Sequence, residues 1–109
     1  MAWLVRGAQV LASAEVLGTR SQRARGLLGR DGVDGAVVLP RCRWVHSLGM
    51  RFALDVAYLD CDGAVVKIAR LRPHRLSLPV LSARKVIEAD AGAFARWGLH
   101  LGDVIEVRD

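Results

Sequence analysis

Along most of this chain apolar and polar residues alternate in short runs, the spacing of half-buried strands rather than of helices. The clearest run covers residues 54–60. Leu54, Val56 and Tyr58 share one face, and Asp55, Ala57 and Leu59 the other. Both faces are largely apolar, which predicts a central strand covered on both sides. The run ends at Asp60-Cys61-Asp62-Gly63, and Asp-Gly ahead of Ala64-Val65-Val66-Lys67-Ile68 is a hairpin signal. Shorter strands are predicted at 3–5, 10–17, 36–39, 64–71, 83–89 and 104–107. Gly7-Ala8-Gln9 forms a turn, Pro40 stops one strand, and Pro79 leaves 76–81 extended but irregular.

Helical spacing occurs twice. Thr19 with Gln22 is a capping-box pattern ahead of 20–28, where Ala24, Leu27 and Leu28 share a face. Asp90 is placed to cap a second helix over 91–97, closed by Gly98. Many short strands with one or two short helices predict a mainly β chain: a single small antiparallel domain over residues 1–109, barrel- or sandwich-like.

Composition narrows this only a little. At 109 residues and 52% hydrophobic, one core is expected. No apolar run approaches a membrane span, and the N-terminus lacks a signal-peptide pattern, so a soluble cytoplasmic protein is the expectation. Cys42 and Cys61 form neither a disulfide framework nor a zinc motif and read as reduced, small apolar side chains. The net charge is +5 and the basic residues are nearly all arginine. That excess fits an anionic partner or the codon bias of a GC-rich genome equally well.

Candidate chemistry gathers just ahead of and within the 54–60 run. Asp55 sits where a carboxylate is costly without a cation or N–H donors. The reading pairs it with arginine: Arg30 first, carried past Gly29 at a helix end, and Arg51 second. His46 and Met50 lie close by, so Arg30, His46, Met50, Arg51 and Asp55 form a candidate pocket for a small molecule or a protein partner. Arg20, Arg23 and Arg25, with no acidic residue among them, are candidates for anion binding or for a solvated face.

Several residue sets resemble, in order, the motifs of an uncharacterised prokaryotic family, domain of unknown function 192. These are Thr19-Arg20 with Arg25-Gly26-Leu27-Leu28-Gly29-Arg30; then His46, Gly49-Met50-Arg51-Phe52, Leu54-Asp55, Tyr58-Leu59-Asp60 and Asp62-Gly63; then Val86-Ile87-Glu88, Ala91-Gly92, Gly98 and Gly102-Asp103. The chain departs from the family at Ala53, where proline is common, and at His46-Ser47 and Gly49-Met50, where many members carry Trp-Met and Asn-Thr. The resemblance implies a compact, mainly antiparallel β-barrel-like fold and no established reaction, ligand or cofactor. It also implies exported or envelope-associated relatives, some of them beside secretion or pilus systems.

An enzyme reading would use His46 and Asp55 as base and orienter, with Ser47 or Cys42 as nucleophile. No Gly-x-Ser-x-Gly elbow or cysteine motif supports it, so the reading leans away from catalysis. Cys42, His46 and Met50 are four apart, but in extended chain such positions lie about 13 Å from each other, too far for one ion. No metal and no cofactor is expected. Single-stranded nucleic acid, read through arginines and Trp3, Trp44 and Trp97, is an alternative disfavoured by the low aromatic content and two lysines. A second alternative is a purely structural Arg–Asp pair in a protein with an accessory envelope or secretion role. The leading reading is a small binding or interaction module, its ligand and partner unknown.

Overall fold

A computed structural model describes residues 2–19, 21–22 and 27–109. Among these residues seven strands form one sheet: β1 (Ala2–Arg6), β2 (Gln9–Val16), β3 (Ala36–Pro40), β4 (Leu54–Leu59), β5 (Val65–Leu71), β6 (Lys85–Asp90) and β7 (Glu106–Arg108), with helix α1 (Ala93–Trp97) between β6 and β7. Their order is β5-β4-β6-β3-β2-β1-β7. The expected mainly β class is observed. The sheet is not closed into a barrel and is sandwich-like instead, with apolar clusters against both faces. One pairing departs from the antiparallel expectation. β2 and β3 run parallel, because the 17–35 connection carries the chain back to the same end of the sheet.

β4 lies between β5 and β6, and all six of its residues are buried. Its alternation divides the core. Leu54, Val56 and Tyr58 pack in a first cluster with Leu27, Leu39, Val45, Met50 and Val86. Ala57 and Leu59 pack in a second with Leu4, Ile87, Ala93, Phe94 and Leu99. Burial of each large side chain contributes roughly 1.5–3 kcal/mol, so two filled faces make β4 the keystone of the sheet. The loops flanking β3 to β6 cover the first face, and α1 covers part of the second.

The capping box is formed. Thr19 N–H donates to Gln22 Oε1 at 3.0 Å, and Gln22 N–H to Thr19 Oγ1 at 3.1 Å. Most of the helix expected over 20–28 lies outside the described residues. Leu27 is buried as expected, whereas Leu28 is exposed. The expected cap of the second helix is corrected. The N-cap position is Gly92, at φ 98°, not Asp90. Asp90 instead accepts a hydrogen bond from Val33 N–H at 2.9 Å. Gly98 closes the helix in the left-handed conformation, as the pattern predicts.

The Asp62-Gly63 turn joins β4 to β5. Gly63 has φ +81°, and a Cβ there would stand 2.7 Å from the Ile105 carbonyl oxygen. The turn is therefore glycine for a second reason beyond hairpin geometry. Chain from the far edge packs on it, through the Ala64–Val104 bridge and an Ile105 N–H to Gly63 O bond of 2.9 Å.

Candidate functional site

Asp55 is 5% exposed, and its partners follow from its place in β4. Its side chain points to the α1 face of the sheet. Oδ2 accepts from Gly92 N–H at 2.9 Å and Phe94 N–H at 3.2 Å, two of the donors that a helix N-terminus leaves free. Oδ1 accepts from Arg70 Nε at 3.1 Å. Asp55 is thus paired with arginine, but neither Arg30 nor Arg51 is the partner. Arg70 stands directly across the ladder on β5, where opposite side chains meet without any loop having to fold in. Arg30 instead forks onto both oxygens of Glu15 at 2.9 Å, which lowers the Glu15 pKa through those hydrogen bonds. Arg51 is exposed and lies 3.3 Å from Asp31.

The sheet separates the other half of the candidate pocket from Asp55. Met50 is buried in the first cluster, on the Tyr58 side of β4. His46 lies in the 41–53 segment, bridged to Leu76 of the 72–84 segment. These two segments are laced into an irregular ribbon. Ser47 N–H donates to Arg75 O at 2.8 Å, Ser77 N–H to Val45 O at 2.9 Å, and Val80 N–H to Arg43 O at 2.9 Å. Ser47 is fully buried. Its hydroxyl donates to Arg72 O and accepts from Arg75 N–H, which ties the two segments together. His46 Nδ1 accepts from Leu48 N–H, and His74 Nδ1 from Gly49 N–H, each at 3.2 Å. Both imidazoles present an acceptor nitrogen to the turn at Gly49. Arg20, Arg23 and Arg25 lie outside the described residues.

Pairing across the ribbon sets its outward face. Val45 turns into the core, so its neighbours Trp44 and His46 turn out, beside Leu76 and Leu78 on the opposing segment. The Trp44 and His46 rings lie 6.3 Å apart. Leu76, Leu78 and Leu81 are 63%, 78% and 79% exposed, and Trp44 49%. Residues 41–53 and 70–84 hold Arg41, Arg43, Arg51, Arg70, Arg72, Arg75 and Arg84 without a single Asp or Glu. Only Arg51 and Arg70 of these meet a carboxylate among the described residues. Arg41, Arg43, Arg75 and Arg84 donate to backbone carbonyls.

A residue passed over in the sequence reading stands out in the core. Glu88 of β6 is 3% exposed, between Val37 of β3 and Val56 of β4. Burial raises its pKa from 4.5 to about 7. It shares a face with Val86 and Tyr58, whose own pKa is also raised, chiefly by burial. Among the described residues, no group of three or more His, Cys, Asp or Glu side chains is arranged to hold a metal ion. No helix among them is long and apolar enough to cross a membrane.

Two crystal structures share the fold. A protein of unknown function from Novosphingobium aromaticivorans matches with a TM-score of 0.80 at 22% identity, over 96% of this chain and 82% of its own. A protein from Sinorhizobium meliloti, described as a "putative transcription regulator", matches with a TM-score of 0.81 at 21% identity, over 97% and 91%. In sequence, a UPF0127 protein of Thermococcus sibiricus is 31% identical over 98 residues, 84% of this chain and 64% of that protein. A UPF0127 protein of Pyrococcus furiosus is 34% identical over 62 residues, 57% and 53% respectively. The matches thus span about half to two thirds of these relatives' lengths. The model of domain of unknown function 192 (DUF192, "Uncharacterized ACR, COG1430") matches residues 3–107, nearly the whole chain, and the protein belongs to that family.

Proposed function

We propose that this domain is a binding module whose working surface is the outward face of the His46 ribbon. The observation that carries this is the exposure there of leucines and Trp44, on a ribbon whose two segments hold several arginines and no acidic residue. Exposed apolar side chains grouped on one face, with a polar rim, are what interaction surfaces present and isolated monomers avoid. Asp55, read from sequence as an anchor of the pocket, is accounted for by the α1 N-terminus and Arg70. Of the candidate residues, His46 stays with the binding face.

The test follows the protein through a gently prepared lysate of its own cells. Wild type is expected to run in gel filtration well above its own 11.9 kDa, or to sediment with a particulate fraction. A Leu78→Ser/Leu81→Ser variant is expected to run free. If both run as the free chain, this face binds nothing in the cell and the reading fails.

A further inference from the structure

We infer that the partner of the ribbon face is the surface of an anionic membrane, with the leucines entering the headgroup–acyl boundary and the arginines holding lipid phosphates. This rests on the reading of the face as the binding surface and goes on to name what it meets.

Three features point to a lipid surface. The first is shape. Leu78 and Leu81, at 78% and 79%, are the most exposed large apolar side chains among the described residues, with Leu101 at 65% and Leu76 at 63% next; the chain is extended through Leu78 and Pro79 and turns at Leu81. Among the described residues nothing folds over them. A peptide-binding surface shields its apolar anchors in a groove, whereas side chains that stand proud are suited to enter a deformable layer. The second is side-chain type. Leucine and tryptophan with arginine make an interfacial set: Leu in the acyl boundary, the Trp44 ring at headgroup level, guanidinium groups on phosphate. Leucines have no flat face on which a nucleic-acid base stacks. The third is charge. Arg41, Arg43, Arg72, Arg75 and Arg84 meet no carboxylate among the described residues, and neither segment of the ribbon contains an acid. A ribbon with cations and no acid in either segment is attracted to an anionic leaflet and has no carboxylate of its own there to be repelled.

Vesicle sedimentation tests this with the full chain. The probes are vesicles of phosphatidylcholine alone and of equal parts phosphatidylcholine and phosphatidylglycerol. Wild type is expected to sediment with the mixed vesicles at low salt, to be released as salt rises, and to stay in solution with the neutral ones. Leu78→Ser/Leu81→Ser is expected to weaken binding roughly tenfold or more. Arg72→Gln/Arg75→Gln is expected to do the same, at roughly fivefold per arginine. All four side chains are exposed, so unchanged circular dichroism melts serve as the folding control. Absence of binding to the mixed vesicles, equal binding to both kinds, or full binding by the leucine variant would each overturn the inference. A leucine-dependent association in lysate without vesicle binding points to an acidic protein partner: the lipid assignment then falls while the binding face stands. Failure of both assays removes both.

Discussion

Glu88 makes a quantitative prediction about stability. In the unfolded chain its carboxyl loses its proton near the ordinary 4.5. In the folded protein burial holds the proton on to about pH 7. Between these values the native state binds more protons than the unfolded state, so this group's contribution makes stability fall as pH rises. The loss begins above about 4.5 and is complete above about 7. At about 1.4 kcal/mol per pK unit, the gap corresponds to about 3 kcal/mol. Glu88→Gln keeps the shape and removes the titration. The variant is expected to match wild type at about pH 4.5 and to exceed it by up to about 3 kcal/mol at about pH 8. For a domain of this size that is a melting temperature higher by on the order of 10 °C. Paired thermal melts of the two proteins across this range isolate Glu88, because every other titrating group is common to both. Parallel curves would refute the reasoning: they would mean that the Glu88 carboxyl is ionised and compensated in the folded protein.

Asp55→Ala strips two helix N–H groups of their acceptor and is expected to cost on the order of 3 kcal/mol. Arg70→Ala, whose side chain is 59% exposed, is expected to cost about 1 kcal/mol or less. Urea unfolding of both variants checks this, and equal losses would show that the ion pair, not the cap, holds Asp55. Gly63→Ala combines a left-handed backbone with a Cβ 2.7 Å from Ile105 O, for an expected cost on the order of 2 kcal/mol. Gly7→Ala, at φ +61° with open space around it, isolates the backbone share at roughly 1 kcal/mol. A melt in which the two glycine variants coincide would mean that the far edge yields freely at the turn.

The elements were legible where a local signal was strong. Leu54, Val56 and Tyr58 show the strand by alternation, Asp62-Gly63 the turn, and Gly98 the helix end. That Asp55 needs a cation or N–H donors is legible too, since a carboxylate between Leu54 and Val56 is costly without one of them. Its partner is not Arg30 or Arg51, to which loop position points, because ladder register rather than loop position sets which arginine stands opposite Asp55. Treating Asp62-Gly63 as a two-residue turn and counting outward sets Arg70 opposite Asp55; the turn that forms is Asp60–Gly63, with Gly63 N–H on Asp60 O at 3.0 Å, and the register shift at Tyr58/Leu59 brings the ladder to the same pairing. The N–H donors of Gly92 and Phe94 were not accessible in this way, because they depend on where α1 lands. Glu88 was missed for a related reason. Val86-Ile87-Glu88 alternates like any half-buried strand, and only the neighbours Val37 and Val56 reveal that both its faces are covered.

The arginine excess, which composition alone leaves open, is not spread evenly over the folded molecule. Arg6, Arg30, Arg51, Arg70 and Arg108 each lie within ion-pair distance of a carboxylate, as a chain does when arginine is used for structure. The ribbon differs: of its arginines only Arg51 meets a carboxylate among the described residues, and it is assembled from two stretches separated by two whole strands. A codon bias replaces lysine with arginine wherever a cation is wanted. It does not clear Asp and Glu from two separate segments that fold against each other, nor does it set Leu76, Leu78 and Leu81 outward between the resulting charges. Selection for a monomer's own stability would do neither, since unpaired like charges repel and exposed leucines gain nothing from folding. What the two features have in common is a surface outside the chain that is both apolar and negative.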